Sequence, residues 1–198
     1  MSMRIAGGRA ADCRGQALME MALLMPFLLL LGLGVIEVSH GLLEQHVVTK
    51  LAREGSNLIS RNTSLADATA AMKAMSARPV DFDTRSKVIF SVLKKGATTG
   101  TANYDQVFVY QRHEYGALAA SSKLTTVSKG SYGGPPDYEA SNSDNAGGLQ
   151  VTNISDDLIA ARGGMIYVTE IFSTHQILTP LGRFGINFPT TLYSIAYF

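Results

Sequence analysis

The chain has 198 residues, room for one domain and an additional element. Its formal net charge of +1, with no basic block, excludes nucleic acid as the main partner. The single cysteine, Cys13, excludes an internal disulfide, and the mean hydropathy of +0.11 traces mostly to the uncharged run between Met21 and Ile36.

Residues 1–15 carry Arg4, Arg9 and Arg14 against Asp12. No apolar run precedes Cys13, and Asp12 stands where a lipoprotein signal needs a small residue, so lipidation there is not expected. Allowing for Glu20, the stretch Ala17–Ile36 is about 20 residues, roughly 30 Å as a helix, and matches a bilayer core. It is longer than the core of a cleaved secretory signal, and Val38-Ser39-His40 is a poor cleavage site, which favours a retained anchor. The arginines place the N-terminus in the cytoplasm and everything after about residue 40 beyond the inner membrane.

Glu20 is the exception in this run. A carboxylate at the start of a membrane helix costs roughly 2–3 kcal/mol or more without a partner. It can reach up to the head groups. A sharper reading uses spacing: a cut between Gly15 and Gln16 exposes a free amine on Gln16 and makes Glu20 the fifth residue of the mature chain. Pairing of Glu20 with the amine of a neighbouring subunit then offsets the burial of both charges and sets the axial register of packed helices.

The stretch from Arg14 to Glu37 resembles the TadE-like family, minor pseudopilins of tight-adherence (Tad, or Flp) pilus systems. Arg14, Gly15, Glu20, Ala22, Leu23, Pro26, Gly34 and Glu37 carry the likeness, and Glu170-Ile171-Phe172 leading to Leu178-Thr179-Pro180 fits it loosely. Met21 stands where the major pilins of these systems have Tyr, and the chain is far longer than such a pilin; both favour a minor pilin. The resemblance implies that a membrane aspartyl prepilin peptidase removes residues 1–15. It also implies methylation of Gln16, partnership with other pilins or pseudopilins through the N-terminal helix, and a role in starting or capping a filament. Pro26 either bends the helix for packing or is simply tolerated, Gly32 and Gly34 permit close helix approach without the four-residue spacing of a dimer motif, and Glu37 reads as a boundary residue.

Beyond the membrane, Leu42, Leu43, His46, Val47, Lys50, Leu51, Glu54, Leu58 and Ile59 keep three- and four-residue steps, predicting a helix from about Gln16 to Ser60, with Gly55 a local weak point. Ser64-Leu65-Ala66-Asp67 is a variant capping box for a second helix to about Ala77, in which Met72 and Met75 read as core filler. Strands follow at Lys87–Leu93, Gln106–Glu114, Gly164–Phe172 and within Pro189–Phe198, the first two as an antiparallel pair. Residues 129–148, rich in Gly, Pro, Ser, Asn and Asp, read as a long, mobile surface loop and a candidate contact region.

The expectation is an α+β, pilin-like fold: a long N-terminal helix, its transmembrane half at 17–38, packed on an antiparallel sheet domain. Its divisions are a removed leader at 1–15, the helix at 16–60 and an outward-facing domain at 61–198. His40 and His46 are six apart and fall on different helix faces; His113 reads as part of a solvated strand face, His175 as a loop or core residue, and Asp156-Asp157 as a helix N-terminus. No phosphate loop, nucleophile elbow or metalloprotease motif occurs, so neither enzyme activity nor a cofactor or metal is expected. The competing reading is a single-pass inner-membrane protein with a periplasmic binding domain that enters no filament.

Overall fold

The computed structural model describes residues 9–198 except residue 160, with the side chains of 9–14 and 156 left out; the first half of the expected leader lies outside the described residues. The architecture is α+β: one long N-terminal helix, a short second helix and a four-stranded antiparallel sheet. Helix α1 runs from Arg9 to Ser60, 52 residues or about 78 Å of rise, without interruption at Pro26. It therefore begins before Gln16, its expected start, and the Gly15–Gln16 bond lies inside it. The described chain divides into two compact units. One is α1 up to Gly41 with Ile177–Phe188; the other comprises Leu42–Gln176 and Pro189–Phe198.

In the larger unit, helix α2 (Leu65–Met75) starts where the capping box places it. Ser64 Oγ accepts from the Asp67 amide at 3.1 Å and donates to the Asp67 carboxylate at 2.7 Å. Strands β1 (Ser86–Lys95), β2 (Val107–Gly116), β3 (Met165–Thr174) and β4 (Thr191–Tyr197) form a sheet in the order β2-β1-β3-β4. β1 is central and buried on both faces, which explains its nearly unbroken apolar run. On one face Val88, Phe90 and Val92 of β1, Ile171 of β3 and Ala196 of β4 pack against Val48, Leu51, Ala52 and Ile59 of α1 and Leu65, Ala68 and Met72 of α2. On the other, Leu93, Val107, Val109 and Val168 are covered by Leu124, Val151 and Ile159 from the long connections.

Three expectations are corrected in this unit. Gly55 is no weak point: an added Cβ would lie 2.7 Å from Thr169 Cγ2 and 3.2 Å from the Phe90 ring, so the glycine lets the helix backbone approach the sheet. Met72 is core, but Met75, the last residue of α2, is exposed although it follows Met72 by three on the same face, because the helix ends there. Residues 129–148 are not a free loop. The register shift between Val92 and Leu93 skips Tyr110, whose carbonyl accepts from Ala140 at 2.9 Å, and the Arg112 amide donates to Tyr138 O at 3.2 Å. The loop thus pairs along the outer side of β2 and covers an edge that would otherwise present unmatched backbone groups. Tyr110 also donates its hydroxyl to Glu139 at 2.7 Å, a bond that pushes the phenol up to about 12.

Candidate functional site

The first half of α1 is apolar and largely uncovered. Within Gly15–Ser60 it is long and apolar enough to cross a membrane, with a mean hydropathy of 2.3 over its best window and 6% of that window buried. Met19, Leu23, Phe27, Leu29 and Val35 all stand exposed. Such a surface on a water-soluble helix would be unfavourable by about 1.5–3 kcal/mol per large side chain relative to burial. Glu20, exposed on this half, accepts from the Gln16 side-chain amide at 3.1 Å, one turn back. Gly15, Gly32 and Gly34 have open space where a Cβ would stand.

The covered face of α1 begins near Leu30 and continues through Leu33, Gly34, Glu37 and Gly41 at steps of three and four. Glu37 is 1% exposed, which corrects its reading as a boundary residue. Its carboxylate meets the segment Ile177–Phe188 of the same unit. The Leu178 amide donates to both of its oxygens at 3.2 Å, the Thr179 amide donates to Oε2 at 2.8 Å, and Thr179 Oγ1 donates to Oε2 at 2.6 Å. Pro180 then opens a 3-10 turn through Phe184, Leu181 of that turn is fully buried, and Gly185 ends it at φ +80°. A buried carboxylate is tolerable only where donors converge on it, and here consecutive backbone amides and a hydroxyl do so. The two stretches that carry the sequence resemblance, the Arg14–Glu37 helix and Leu178-Thr179-Pro180, therefore meet at one side chain.

Residues 15–57 match the family model described as TadE-like protein. Over that segment the chain is TadE-like. The match begins at Gly15, includes Glu20, Pro26 and Glu37, and ends inside α1, so the sheet and the 177–188 segment lie outside it. No curated protein and no solved structure gives a significant match.

The chain has further buried polar groups in its larger unit. Glu170 on β3 is fully buried and accepts from the Lys123 amide at 2.7 Å, from Tyr193 of β4 at 2.9 Å and from Ser122 Oγ. Burial, then the nearby Glu170 charge, raises the Tyr193 phenol above its usual value. Ser122 Oγ is also the acceptor for the Leu124 amide at 3.1 Å. Ser122, bonded to both Glu170 and the Leu124 amide, straps residues 122–124 to the sheet. Arg112 braces the same place, donating Nε to Ser91 at 3.0 Å. A cleft of about 670 Å³ opens beside it, lined by Lys87, Arg112, Glu114, Leu124 and Lys129 among others. Lys87 is already paired with Glu114 at 2.6 Å.

Of the histidines, His46 is exposed on α1, and His175 is a core residue whose Nδ1 contacts the buried Glu44 carboxylate. His113 is not on a solvated face: it is half-buried and stacks on Tyr138 with ring centroids 3.9 Å apart, and burial lowers its pKa. Asp156 and Asp157 open a 3-10 turn capped by Ser155, in keeping with the reading as a helix N-terminus. Sequence reasoning missed Glu170 and the burial of Glu37. For Glu170 the available signal was an acidic residue inside an otherwise apolar strand segment; for Glu37, at the end of its apolar run, no local pattern distinguished burial from exposure.

Proposed function

We propose that this chain is a minor pilin or pseudopilin that takes part in assembling a Tad-type pilus, by initiating or capping the filament. The observation that carries the reading is the family match from Gly15 to residue 57, laid over a helix whose apolar half is largely uncovered among the described residues. In this reading the chain first sits in the inner membrane with its N-terminus cytoplasmic and residues 61–198 outside. A prepilin peptidase removes residues 1–15. The new Gln16 amine, methylated or not, lies within a neighbour's reach of Glu20. Mutual neutralisation makes transfer of both groups from the bilayer into a helical filament core less costly. Pro26, Gly32 and Gly34 shape the helix surface that neighbouring pilins pack on. The larger unit serves interaction rather than catalysis, and no cofactor enters the scheme.

The test is the mature N-terminus. Intact mass of the protein from its native host should correspond to a chain beginning at Gln16. A chain that keeps Met1 in assembled or membrane material excludes peptidase processing and leaves a single-pass membrane protein.

A further inference from the structure

We infer that the segment Ile177–Phe188 is a second membrane contact, an interfacial foot that lies at head-group depth beside the outer end of the transmembrane run. This inference rests on the membrane-anchored reading of α1 and concerns a segment outside the family match.

The first observation is placement. Glu37 holds the Leu178 and Thr179 backbone against α1 within one compact unit. Glu20 and Glu37 bracket the apolar run, and their separation along the helix is about 26 Å at 1.5 Å per residue. A hydrocarbon core is about 30 Å thick. If Glu20 lies at one boundary, Glu37 and whatever it holds lie near the other.

The second observation is composition and orientation. Leu181 and Thr179 point inward and are buried. Ile177, Leu178, Phe184 and Ile186 are left on the surface, Phe184 at 62% exposure and Leu178 at 58%. Arg183 is the one charged residue from 177 to 188, and it too is exposed. Four large apolar side chains, one aromatic, beside a lone arginine are costly to leave in water. They suit the boundary where acyl chains give way to phosphates, with Arg183 reaching the phosphate level. These exposed side chains belong to the same compact unit as the uncovered apolar run of α1, and a surface shared with the membrane-spanning run selects lipid as the occupant over a separate protein partner. The burial of Glu37 then has a physical reason, because its carboxylate takes up the amide donors of a segment that enters a region where water is scarce.

The chain contains no tryptophan, so a single introduced one is a clean reporter. Full-length Leu28→Trp and Phe184→Trp proteins are reconstituted separately into vesicles whose acyl chains are brominated either near the head group or near the terminal methyl. Leu28→Trp reports on the anchor and should be quenched most by the deep bromines. Phe184→Trp should lose roughly half its emission to the shallow bromines and much less to the deep ones, because interfacial segments sit about 5–10 Å into the boundary. Ile186→Trp is the second probe and should behave like Phe184→Trp. If Leu28→Trp is quenched and both loop probes keep their emission, the foot is wrong and the anchor stands. Quenching of neither site removes the anchor as well. Loop probes silent in vesicles but blue-shifted in purified filaments would reassign the patch to a neighbouring subunit and overturn the inference.

Discussion

Replacing Glu37 by alanine removes the acceptor for three donors, the Leu178 and Thr179 amides and the Thr179 hydroxyl. A hydrogen bond to a charged group contributes about 1.5–3 kcal/mol net. The Leu178 amide splits its bond between two oxygens at 3.2 Å and counts for little, whereas the Thr179 contacts at 2.8 and 2.6 Å are short and direct. Taking the low end for each Thr179 contact gives a local loss of about 3 kcal/mol. That corresponds to amide exchange at Leu178 and Thr179 faster by about 150-fold. The assay is hydrogen exchange with residue resolution on the full chain in nanodiscs. Val88, in the core of β1, serves as the internal reference, because local release of 177–188 should leave it untouched. Glu37→Gln keeps one carbonyl oxygen and should fall between wild type and Glu37→Ala. If Leu178 and Thr179 exchange at wild-type rates in Glu37→Ala, the carboxylate does not hold the segment. Equal acceleration at Val88 would show that Glu37 stabilises the whole chain instead, and the latch reading fails in that case too.

Other outcomes follow from the packing and the charges. Gly55→Ala should destabilise the protein by about 1–2 kcal/mol in thermal unfolding followed by circular dichroism. The added methyl meets both branches of Thr169, at 2.7 and 3.0 Å, so a rotamer change cannot clear it, and this outweighs the gain in helix propensity; a rise in melting temperature would contradict the close approach. Burial lowers the His113 pKa, with Glu114 opposing, so the folded state binds fewer protons than the unfolded chain. The associated stability is therefore fully present above the unfolded value of about 6.5 and is lost as pH falls through the folded value. His113→Gln should flatten that part of a urea-midpoint against pH curve, and an unchanged slope would count against it. Glu20→Ala should spare membrane insertion yet lower incorporation into filaments. A pair in lipid of about 2–3 kcal/mol corresponds to roughly 30- to 150-fold, and normal incorporation by immunoblot of sheared pili would rule the pairing out.

Much of the fold was legible because its signals are local. Helix α1 followed from an uncharged run joined to a three-and-four repeat, and its end at Ser60 from the capping box that starts the next helix at Leu65. Each strand stood within a few residues of its alternating or apolar segment. The outcome was poorer where a residue's role depended on a distant neighbour. Gly55 looked like a flaw until Thr169 and Phe90 were set against it. The 129–148 region has the composition of a free loop, yet the bulge at Tyr110 hands its backbone groups to β2. His113 lies in a polar-looking stretch of strand and is half-covered only because Tyr138, in that same loop, stacks on it.

The candidate site divides in the same way. The N-terminal helix, its apolar length, and the offsets of Gly15, Gln16 and Glu20 were determined by the sequence itself, since spacing along a helix translates directly into rise and face. Glu37 was decided only by the tertiary structure. Its donors lie 141 and 142 residues away, on a segment brought back after three strands, and no local pattern specifies that return. A carboxylate at the end of a membrane helix is equally at home in water or beneath a cap of amides. Which of the two it meets depends on where the rest of the chain comes to lie.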